Sequence, residues 1–274
     1  MILDGKKISE EILLEVKNKV YDLHLSLAVI QIGNDQSSNV YINQKKKLCN
    51  ILNIAFIHHK LDLNISEKEV LKLIDVLNED QTTGILLQLP IPNHLDTKKI
   101  QNRINYKKDV DGLNNINVCN LINNKPGIIP CTAKGIMTLL NKYNIKVAGK
   151  NVVVVGRSNI VGKPISNLLL NSDATVTVCH SKTKNLAYFT KNADILIAAT
   201  GKKHLITNSM VKEGAVIIDV GINKIDNKLY GDVDFEKIKN ISSYITPVPG
   251  GIGPMTIASL AENLYDAYIL QQED

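Results

Sequence analysis

Residues 151–164 read Asn-Val-Val-Val-Val-Gly-Arg-Ser-Asn-Ile-Val-Gly-Lys-Pro, and this segment carries the sharpest local signal in the chain. Four consecutive valines predict a buried strand, and Gly156 permits a tight turn at its end. Gly162 lets the following helix pack closely against the strand, with Pro164 in the first helical turn. The spacing differs from GxGxxG. The order of strand, glycine turn and helix nevertheless predicts a parallel sheet in which a helix N-terminus presents N–H groups to a phosphate.

The strand that follows ends in residues that favour NADP over NAD. We predict a strand from Ala174 to Val178, and Cys-His-Ser-Lys comes directly after it at 179–182. An NAD-binding domain would have Asp or Glu here to bind the ribose hydroxyls, and no acid is present. Arg157 and Ser181 can instead donate hydrogen bonds to a 2′-phosphate. The alternative for Arg157 is an ordinary surface arginine.

Two more apolar segments end at glycine and extend the same pattern. Residues 194–199 lead into Thr200-Gly201, and residues 215–220 lead into Gly221-Ile222. The carboxyl ends of parallel strands lie along one edge of a sheet, where cofactors bind. We therefore expect both ends to line the cofactor crevice. The alternative is that each is a simple turn.

The N-terminal part of the chain alternates between strand and helix patterns. Apolar residues at helical spacing predict a helix over 8–20, and branched residues predict strands over 25–32 and 54–61. Ser66 and Glu69 form the sequence signature of a capping box, which opens a further helix. This alternation predicts a parallel sheet covered by helices.

The chain is therefore predicted to be an α/β protein with two domains that flank a cleft. Residues 114–130 are rich in Asn, Gly and Pro, which is typical of a crossing between domains. We assign 1–118 and 250–274 to an N-terminal α/β catalytic domain, and 119–249 to a Rossmann-like NADP-binding domain with a parallel sheet. A final amphipathic helix over 257–270 would return the chain to the first domain.

Tyr41 and Lys45 are four residues apart, in the segment Tyr-Ile-Asn-Gln-Lys-Lys-Lys at 41–47. On a helix this spacing puts both side chains on one face, so a flat ligand on Tyr41 would have the Lys45 nitrogen at its edge. A lysine that carries protons near neutral pH needs a lowered pKa, which burial in a cleft supplies. The alternative is that Lys45 to Lys47 form a solvated helix face above a half-buried Tyr41.

Gln88 and Asp111 are further candidates for a site. Gln88 interrupts an apolar strand that begins at Gly84 and stops at Pro90, and polar groups at the ends of such strands bind ligands. It can equally be a glutamine bonded to the backbone of a neighbouring loop. Asp111 lies in an Asp-Gly turn, where a carboxylate can accept two hydrogen bonds from a guanidine-like ligand edge. The alternative for Asp111 is a turn former.

Residues 247–256 read Pro-Val-Pro-Gly-Gly-Ile-Gly-Pro-Met-Thr and predict a ligand-binding loop. Gly250 and Gly251 allow the backbone to approach a ligand closely, and the prolines limit the entropy lost on ordering. Thr256 can cap the helix that follows. The alternative is a plain linker.

The composition limits the class of protein. The chain has 274 residues, of which 44% are hydrophobic and 22% charged, as is ordinary for a globular protein with a sizeable core. Its net charge of +5 comes from lysines scattered along the whole length, without the dense basic block of a nucleic-acid-binding protein. No apolar stretch reaches the roughly 18 residues of a membrane span, and the N-terminus lacks a signal-peptide pattern. We expect a cytoplasmic protein that binds neither nucleic acid nor membrane.

The four cysteines argue against a metal site and against a disulfide framework. They are far apart and form no CxxC pair, at Cys49, Cys119, Cys131 and Cys179. We expect them to be reduced and mostly buried.

Together these motifs resemble, over essentially the full length, the bifunctional methylenetetrahydrofolate dehydrogenase and methenyltetrahydrofolate cyclohydrolase family. Residues 41–47 are similar to the YxxxKxK element of that family, residues 84–90 to GILxQLP and residues 108–112 to KDVDG. The further matches are Pro130-Cys131-Thr132, Gly156-Arg157-Ser158, His180-Ser181-Lys182-Thr183 and TPVPGGIGPMT at 246–256. One departure is Ala133, where the family usually has proline, and alanine also suits the start of a helix.

The resemblance implies two reactions on one folate. NADP-dependent oxidation of 5,10-methylenetetrahydrofolate would give the methenyl compound, and hydrolysis would then give 10-formyltetrahydrofolate. These steps belong to one-carbon metabolism and serve purine, methionine and histidine biosynthesis. The resemblance also suggests a homodimer.

The resemblance further implies a role for each candidate residue. Lys45 would move protons, and Gln88 would hydrogen-bond and orient it. Tyr41 would stack on the aminobenzoate ring, and Asp111 would hold the amino edge of the pterin. The remaining folate contacts would be Pro90 and the loop residues Gly250, Gly251 and Pro254, which close one wall. The family's cofactor contacts correspond to Arg157, Ser158, Ser181 and Ile222.

Two other classes of protein are the alternatives. A different NADP dehydrogenase with a cleft between two domains, such as a shikimate-type enzyme, also uses a Lys and Asp pair. It would not explain Tyr41 four residues before Lys45, nor the PGGIGPMT loop. The other alternative is a catalytically inert cofactor-sensing or nucleic-acid-binding protein, and the scattered charge and intact candidate residues speak against it.

Overall fold

The computed structural model describes residues 1–226 and 228–272, and the chain divides into two compact units. The three-stranded unit consists of Glu11–Cys131 and the chain from Ile257 onward, and the five-stranded unit consists of Met1–Glu10 and Thr132–Thr256. Both units are α/β, as the sequence predicts.

The three-stranded unit follows the predicted alternation. In chain order the elements are α1 (Gly5–Lys19), which begins before the division, β1 (Ser26–Ile32), α2 (Gln36–Leu52), β2 (Ala55–Leu61), α3 (Glu67–Glu79), β3 (Gly84–Leu87), α4 (Thr97–Arg103) and α5 (Asn115–Ile122). The strands are parallel, in the order β2-β1-β3. The predicted capping box of α3 is present, since Ser66 Oγ accepts from Glu69 N and Glu69 Oε2 accepts from Ser66 N. Apolar side chains of α3 and α4 pack on Ala28, Ile30 and Ile85 of the sheet.

The five-stranded unit contains the stretch with four valines. In chain order its elements are α6 (Cys131–Lys142), β4 (Asn151–Val155), α7 (Gly162–Asn171), β5 (Thr175–Cys179), α8 (Leu186–Thr190), β6 (Ile195–Ala198), a 3₁₀ turn (Asn208–Met210), β7 (Val216–Asp219), β8 (Asn223–Ile225), β9 (Lys228–Tyr230), α9 (Phe235–Ile238) and β10 (Tyr244–Ile245). The last helix, α10 (Ile252–Gln272), begins in this unit, and its residues from Ile257 onward belong to the three-stranded unit. Five parallel strands form one sheet in the order β10-β7-β6-β4-β5, and β8 pairs with β9 as an antiparallel hairpin. Val153, Leu196 and Ile217 from three of these strands share one core. The carboxyl ends of β4, β5, β6 and β7 therefore lie along one edge, as a nucleotide site requires.

The first residues of the chain lie in the five-stranded unit, whereas the predicted border put them with residues 1–118. Leu3 N donates to Ile245 O at 2.9 Å, and Ile245 N donates to Met1 O at 3.0 Å. These bonds extend the pairing at the edge strand β10. A short terminal segment of this kind carries no periodic pattern, so the sequence does not reveal where it pairs.

The predicted crossing over 114–130 is partly helical and stays with the three-stranded unit. Asn114 Oδ1 accepts from Ile116 N at 2.8 Å and caps α5. Ile128 N donates to Asn117 Oδ1 at 3.2 Å, which holds the segment after the helix against it. The asparagines that predict a loop therefore serve as a helix cap and as a hydrogen-bond acceptor for the backbone.

The last helix starts earlier than predicted. α10 begins at Ile252 rather than at 257, so the second half of the predicted loop is helical. Thr256 therefore does not cap the helix, because its Oγ1 donates to Ile252 O at 3.1 Å from inside it. Pro254 is in the first helical turn, where a missing N–H costs nothing.

Cys49, Cys131 and Cys179 are buried and Cys119 is exposed, which confirms the prediction that the cysteines are mostly buried. None of the helices in the described part of the chain has the length and hydropathy to span a bilayer.

Candidate active site

Helix α2 carries Tyr41 and Lys45 one turn apart. Tyr41 is 42% exposed, so its ring is available at the surface of the three-stranded unit. Lys46 and Lys47 are exposed, whereas Lys45 is only partly so. The solvated-face alternative therefore describes Lys46 and Lys47 but not Lys45.

Gln88 holds the Lys45 amine. Lys45 Nζ donates to Gln88 Oε1 at 2.7 Å, and Gln88 Nε2 donates to Leu89 O at 2.9 Å. The Gln88 backbone N–H donates to Ile30 O at 2.9 Å, which continues the pairing of β3 with β1. Gln88 is 8% exposed, and both ends of its amide are fixed. The hydrogen-bonded alternative therefore describes Gln88, which bonds a loop carbonyl at one end of its amide and the Lys45 amine at the other. A ligand contact of Gln88 stays a prediction.

Asp111 lies on a turn whose neighbouring backbone carbonyls accept hydrogen bonds from two side chains, Asn263 and Cys131. Val110 O accepts from Asn263 Nδ2 at 2.9 Å and from Cys131 Sγ at 3.4 Å. Asn263 Nδ2 also donates to Ile129 O at 2.8 Å. Cys131 Sγ lies 3.9 Å from Asp111 Oδ1. The carboxylate is therefore on a fixed turn in the same unit as Lys45.

Burial and charge act in opposite directions on Lys45 and Asp111. Burial lowers the pKa of Lys45, and the interactions with Asp111 and Cys131 only partly offset this effect. Burial raises the pKa of Asp111, against the charge of Lys45 and the hydrogen bond from Cys131. Both groups are displaced toward their uncharged forms. A neutral amine can accept a proton, which is what a general base must do.

The predicted phosphate-binding turn lies at the carboxyl end of β4. Gly156 has a φ of 130°, and a methyl group there would overlap the carbonyl oxygen of Ala199. Arg157 and Ser158 follow with exposed side chains. Ser158 Oγ accepts from Gly162 N at 3.4 Å, so this serine orders the start of α7. The exposed guanidinium of Arg157 is available to an anion.

Ser181 is exposed in the turn after β5. This turn is fixed, because His180 N donates to Thr183 Oγ1 and Thr183 N donates to His180 O, both at 2.8 Å. β4 and β5 are paired in parallel, so Arg157 and Ser181 leave the sheet at the same edge. That arrangement, with no acid in the turn, fits a 2′-phosphate.

The turns after β6 and β7 contact two buried aspartates. Thr200 N, Thr200 Oγ1 and Gly201 N donate to Asp232 Oδ2 at 2.5, 2.9 and 3.1 Å. Gly221 N donates to Asp219 Oδ1 at 3.0 Å. Both segments are therefore hydrogen-bonded turns, as the simple-turn alternative describes, and they lie at the same edge of the sheet as Gly156. Their contacts with a cofactor stay a prediction.

The candidates that remain are Pro90 in the three-stranded unit and Gly250, Gly251, Pro254 and Ile222 in the five-stranded unit. Pro90 is exposed and Gly251 is buried. The carbonyl of Gly250 accepts from the backbone of α1 at 2.9 Å. Ile222 is 45% exposed, and a methyl group at Gly253 would lie 3.9 Å from its Cδ1. The glycine-rich segment is therefore a neighbour of Ile222.

Three polar residues that hold these candidates in place do not stand out as site residues in the sequence. Cys131 lies in the motif Pro130-Cys131-Thr132, which by itself assigns the thiol no role. Asn263 lies between Leu260 and Leu264 on the last helix, and a polar residue beside an apolar stripe is a signal for a buried contact. Asp232 follows a short hairpin, where no pattern distinguishes it from a turn former.

Two family models match the chain. The catalytic domain of tetrahydrofolate dehydrogenase/cyclohydrolase matches residues 3–111, and the NAD(P)-binding domain of the same family matches residues 130–272. The first match includes the Lys45 and Gln88 pair, and the second includes all five strands of the larger sheet.

Relatives and solved structures match over nearly the full length. The bifunctional protein FolD of Campylobacter hominis is 52% identical over 269 residues, which are 96% of this chain and 95% of the relative. The crystal structure of bifunctional FolD from Campylobacter jejuni matches with a TM-score of 0.96 and 45% identity, covering 98% of this chain and 99% of that chain. The methylenetetrahydrofolate dehydrogenase-cyclohydrolase of Trypanosoma brucei, solved with NADP and an inhibitor, matches with a TM-score of 0.95 and 32% identity, covering 100% and 99%.

Proposed function

Because the chain belongs to the tetrahydrofolate dehydrogenase/cyclohydrolase family, we propose that it oxidises 5,10-methylenetetrahydrofolate with NADP and hydrolyses the methenyl product to 10-formyltetrahydrofolate. The chain is a bifunctional enzyme of one-carbon metabolism, and its product would serve purine, methionine and histidine biosynthesis. Neither the shikimate-type nor the inert alternative accounts for a family match over both units. The observation that carries the assignment of residues is the 2.7 Å hydrogen bond from Lys45 Nζ to Gln88 Oε1.

The dehydrogenase step needs positioning more than a base. Bound NADP supplies the acceptor for the hydrogen and two electrons that leave the carbon bridging N5 and N10. The lone pairs of these nitrogens stabilise the cation that results, so no residue of the chain has to remove a proton. The chain would therefore have to hold the folate carbon and the nicotinamide of NADP close together and correctly oriented.

The nucleotide would be held at the carboxyl edge of the larger sheet. Arg157 and Ser181 would bind the 2′-phosphate, since both are exposed after paired strands and no acid lies in the turn at 179–183. Gly156 and the start of α7 would meet the pyrophosphate. The other contacts would be Ser158, Thr200, Gly201, Gly221 and Ile222.

The cyclohydrolase step is the one that uses Lys45. Water attacks the methenyl carbon, and the neutral amine of Lys45 takes the proton that the water loses. The positive charge of the substrate would lower the pKa of Lys45 further than burial does. Gln88 accepts a hydrogen bond from the amine and so orients its lone pair. As the ring opens, the C–N bond breaks and that proton passes to the folate nitrogen. The hydroxyl proton of the intermediate leaves to solvent as the formyl C=O forms, so one proton is released overall and the neutral amine is regenerated.

The remaining folate contacts would position the two rings. Tyr41 would stack on the aminobenzoate ring, which its exposed side chain one turn from Lys45 allows. Asp111 would accept two hydrogen bonds from the amino edge of the pterin. Contacts to the rest of the folate would come from Pro90, Gly250, Gly251 and Pro254.

The proposal extends to a homodimer in the cytoplasm. Both statements rest on the family resemblance and on the expectation from the sequence. Light scattering on the purified protein tests the first, and we expect twice the mass of the chain.

An assay of both steps tests the proposed function. The purified chain is mixed with 5,10-methylenetetrahydrofolate and NADP, and methenyl absorbance is followed together with NADP reduction. Methenyltetrahydrofolate is then supplied alone, and its disappearance is followed without nucleotide. We expect both reactions. A chain that reduces no NADP, or leaves methenyltetrahydrofolate unchanged, would contradict the proposal.

Replacement of Arg157 by alanine tests the nucleotide assignment. We expect the preference for NADP over NAD to fall about 10- to 100-fold, because a charge-assisted hydrogen bond is worth about 1.5–3 kcal/mol. The measurement is kcat/KM with each nucleotide. Lys150→Ala is the matched control, since Lys150 is exposed at the opposite end of β4. Equal efficiency of the unaltered chain with NADP and NAD would contradict the assignment.

A further inference from the structure

A buried carboxylate ties together two turns at the nucleotide edge of the larger sheet. Asp232 is 0% exposed. Its Oδ2 accepts from both donors of Thr200 and from Gly201 N, while its Oδ1 accepts from Lys202 N at 2.8 Å and from Asn223 Nδ2 at 3.1 Å. Every one of these donors lies after β6 or at the start of β8. One side chain therefore spans the gap between the ends of two neighbouring strands.

A second aspartate holds the backbone of the first. Asp219, the last residue of β7, accepts from Asp232 N at 2.9 Å through Oδ1 and from Val233 N at 2.9 Å through Oδ2. Its Oδ1 also accepts from Gly221 N at 3.0 Å. A methyl group at Gly221 would overlap Asp232 Oδ1, so the two turns are packed in contact. The position of Asp232 is thus fixed by the sheet itself.

The hydrogen bonds to Asp232 fix the side of these turns that faces the protein interior, whereas the side that faces solvent stays accessible. Gly201 and Ile222 are exposed although their neighbours are bonded inward. A buried carboxylate is a costly group, and it is retained where hydrogen bonds stabilise its charge. Backbone donors from three successive residues, 200–202, converge on it here, which sets the turn's conformation.

We propose that Asp232 is a positioning residue for the nucleotide, which sets the turn at 200–202 and the turn at 221–223 at the separation that NADP binding requires. This inference rests on the proposed function, in which Thr200, Gly201, Gly221 and Ile222 contact NADP. Asp232 itself contacts no ligand in this proposal. It acts through the backbone that it holds.

The test uses the two activities of the same chain. In Asp232→Asn, the amide nitrogen would face N–H donors whichever way the amide is turned, so one of the two turns must shift. We expect the dissociation constant of NADP and the KM for NADP to rise at least about tenfold. Hydrolysis of methenyltetrahydrofolate uses no nucleotide and should stay within about twofold. A purely structural role would lower both activities together.

Asp234→Asn is the matched control. Asp234 is also buried, lies on the same segment and pairs with Lys237 at 2.8 Å, but it has no bond to the turn at 200–202. We expect its NADP dissociation constant to stay within about twofold. An unchanged constant in folded Asp232→Asn, or equal rises in the two variants, would overturn the proposal.

A second variant decides the question if Asp232→Asn does not fold. Asn223→Ala removes one donor to Asp232 Oδ1, from a side chain that is itself only partly buried. We expect the NADP dissociation constant to rise about threefold. No rise would overturn the proposal. Failure of the proposed function would appear in the unaltered chain, as absence of NADP binding, whereas failure of this inference appears only in the variants.

Discussion

Three consecutive lysines differ in chemistry only because of where α2 directs them. Lys46 and Lys47 extend into solvent, and Lys45 donates to the fixed amide of Gln88. Burial then favours the neutral amine, and Asp111 opposes that effect without reversing it. The chemistry of Lys45 is therefore a property of its surroundings in the folded unit.

The substitution Asp111→Asn tests this balance. The carboxylate stabilises the ammonium form of Lys45, so its removal leaves burial less opposed and should lower the pKa of Lys45 further. The measurement is a titration of the Lys45 side chain by NMR with labelled lysine. Asp75→Asn is the control, since Asp75 is exposed on α3 and pairs with Arg103. A pKa of Lys45 that rises or stays constant in Asp111→Asn would contradict the account.

The site could be predicted from the sequence only where its residues are local. Tyr41 and Lys45 are one helical turn apart, so their common face follows from spacing. The bond from Lys45 to Gln88 joins residues 43 positions apart, and no spacing rule predicts it. The hydrogen bond from Asn263 Nδ2 to Val110 O, in the turn of Asp111, joins residues that are still farther apart in the sequence. Such contacts are set by the packing of the whole unit.

Gly156 determines the backbone conformation of the turn at the end of β4. Gly156 combines a positive φ with close approach to Ala199. Gly149, just before β4, also has a positive φ of 71°, but a methyl group there would meet nothing within 4 Å. A side chain at Gly149 would therefore cause only backbone strain, whereas one at Gly156 would cause backbone strain and a steric overlap with Ala199.

The substitutions Gly156→Ala and Gly149→Ala measure these two effects. Gly149→Ala should lower the free energy of unfolding by about 1–2 kcal/mol, from the backbone conformation alone. Gly156→Ala adds overpacking and should lower it by about 2–5 kcal/mol. Urea unfolding followed by circular dichroism gives both values. Equal losses would show that Ala199 yields without cost.

The elements that the sequence predicts well are those with an uninterrupted pattern. The strands β1, β2, β4, β6 and β7 and the helices α1, α3 and α7 lie within a few residues of their predicted places. The asparagines around α5 predict a crossing because asparagine is common in loops, whereas in the structure Asn114 is the N-cap of this helix. The first turn of α10 contains Gly253 and Pro254, which are both typical of loops, although proline is also common in a first helical turn. Local composition cannot distinguish these cases.

Two buried carboxyl groups make the free energy of unfolding of the whole chain depend on pH. Burial raises the pKa of Asp219 to about 7, reinforced by the charge of Asp232 and opposed by the N–H bonds that it accepts. Burial likewise raises the pKa of Asp109 to about 6. In the unfolded chain both titrate near pH 4. Between these limits the native state binds more protons than the unfolded state, so each group lowers the free energy of unfolding as pH rises.

Asp219→Asn should remove one of these contributions. From about pH 5 to about pH 7, the free energy of unfolding of the unaltered chain should fall more steeply than that of the variant, by up to about 1.4 kcal/mol per pH unit. Other groups contribute equally to both slopes, so their contributions cancel in the comparison. One example is His58, whose pKa is lowered by burial and whose contribution to the free energy of unfolding therefore rises with pH. Urea unfolding at several pH values gives the slopes. Parallel slopes would mean that Asp219 is ionised throughout this range.

The proposed role of Lys45 as the proton carrier of the hydrolysis is tested by the rate at which Lys45→Ala hydrolyses methenyltetrahydrofolate. We expect this rate to fall by at least about 100-fold, as for removal of a general base, while NADP binding is retained. Lys47→Ala, two residues along the same helix and exposed, should hydrolyse it at the unaltered rate. Normal turnover by Lys45→Ala would contradict the account.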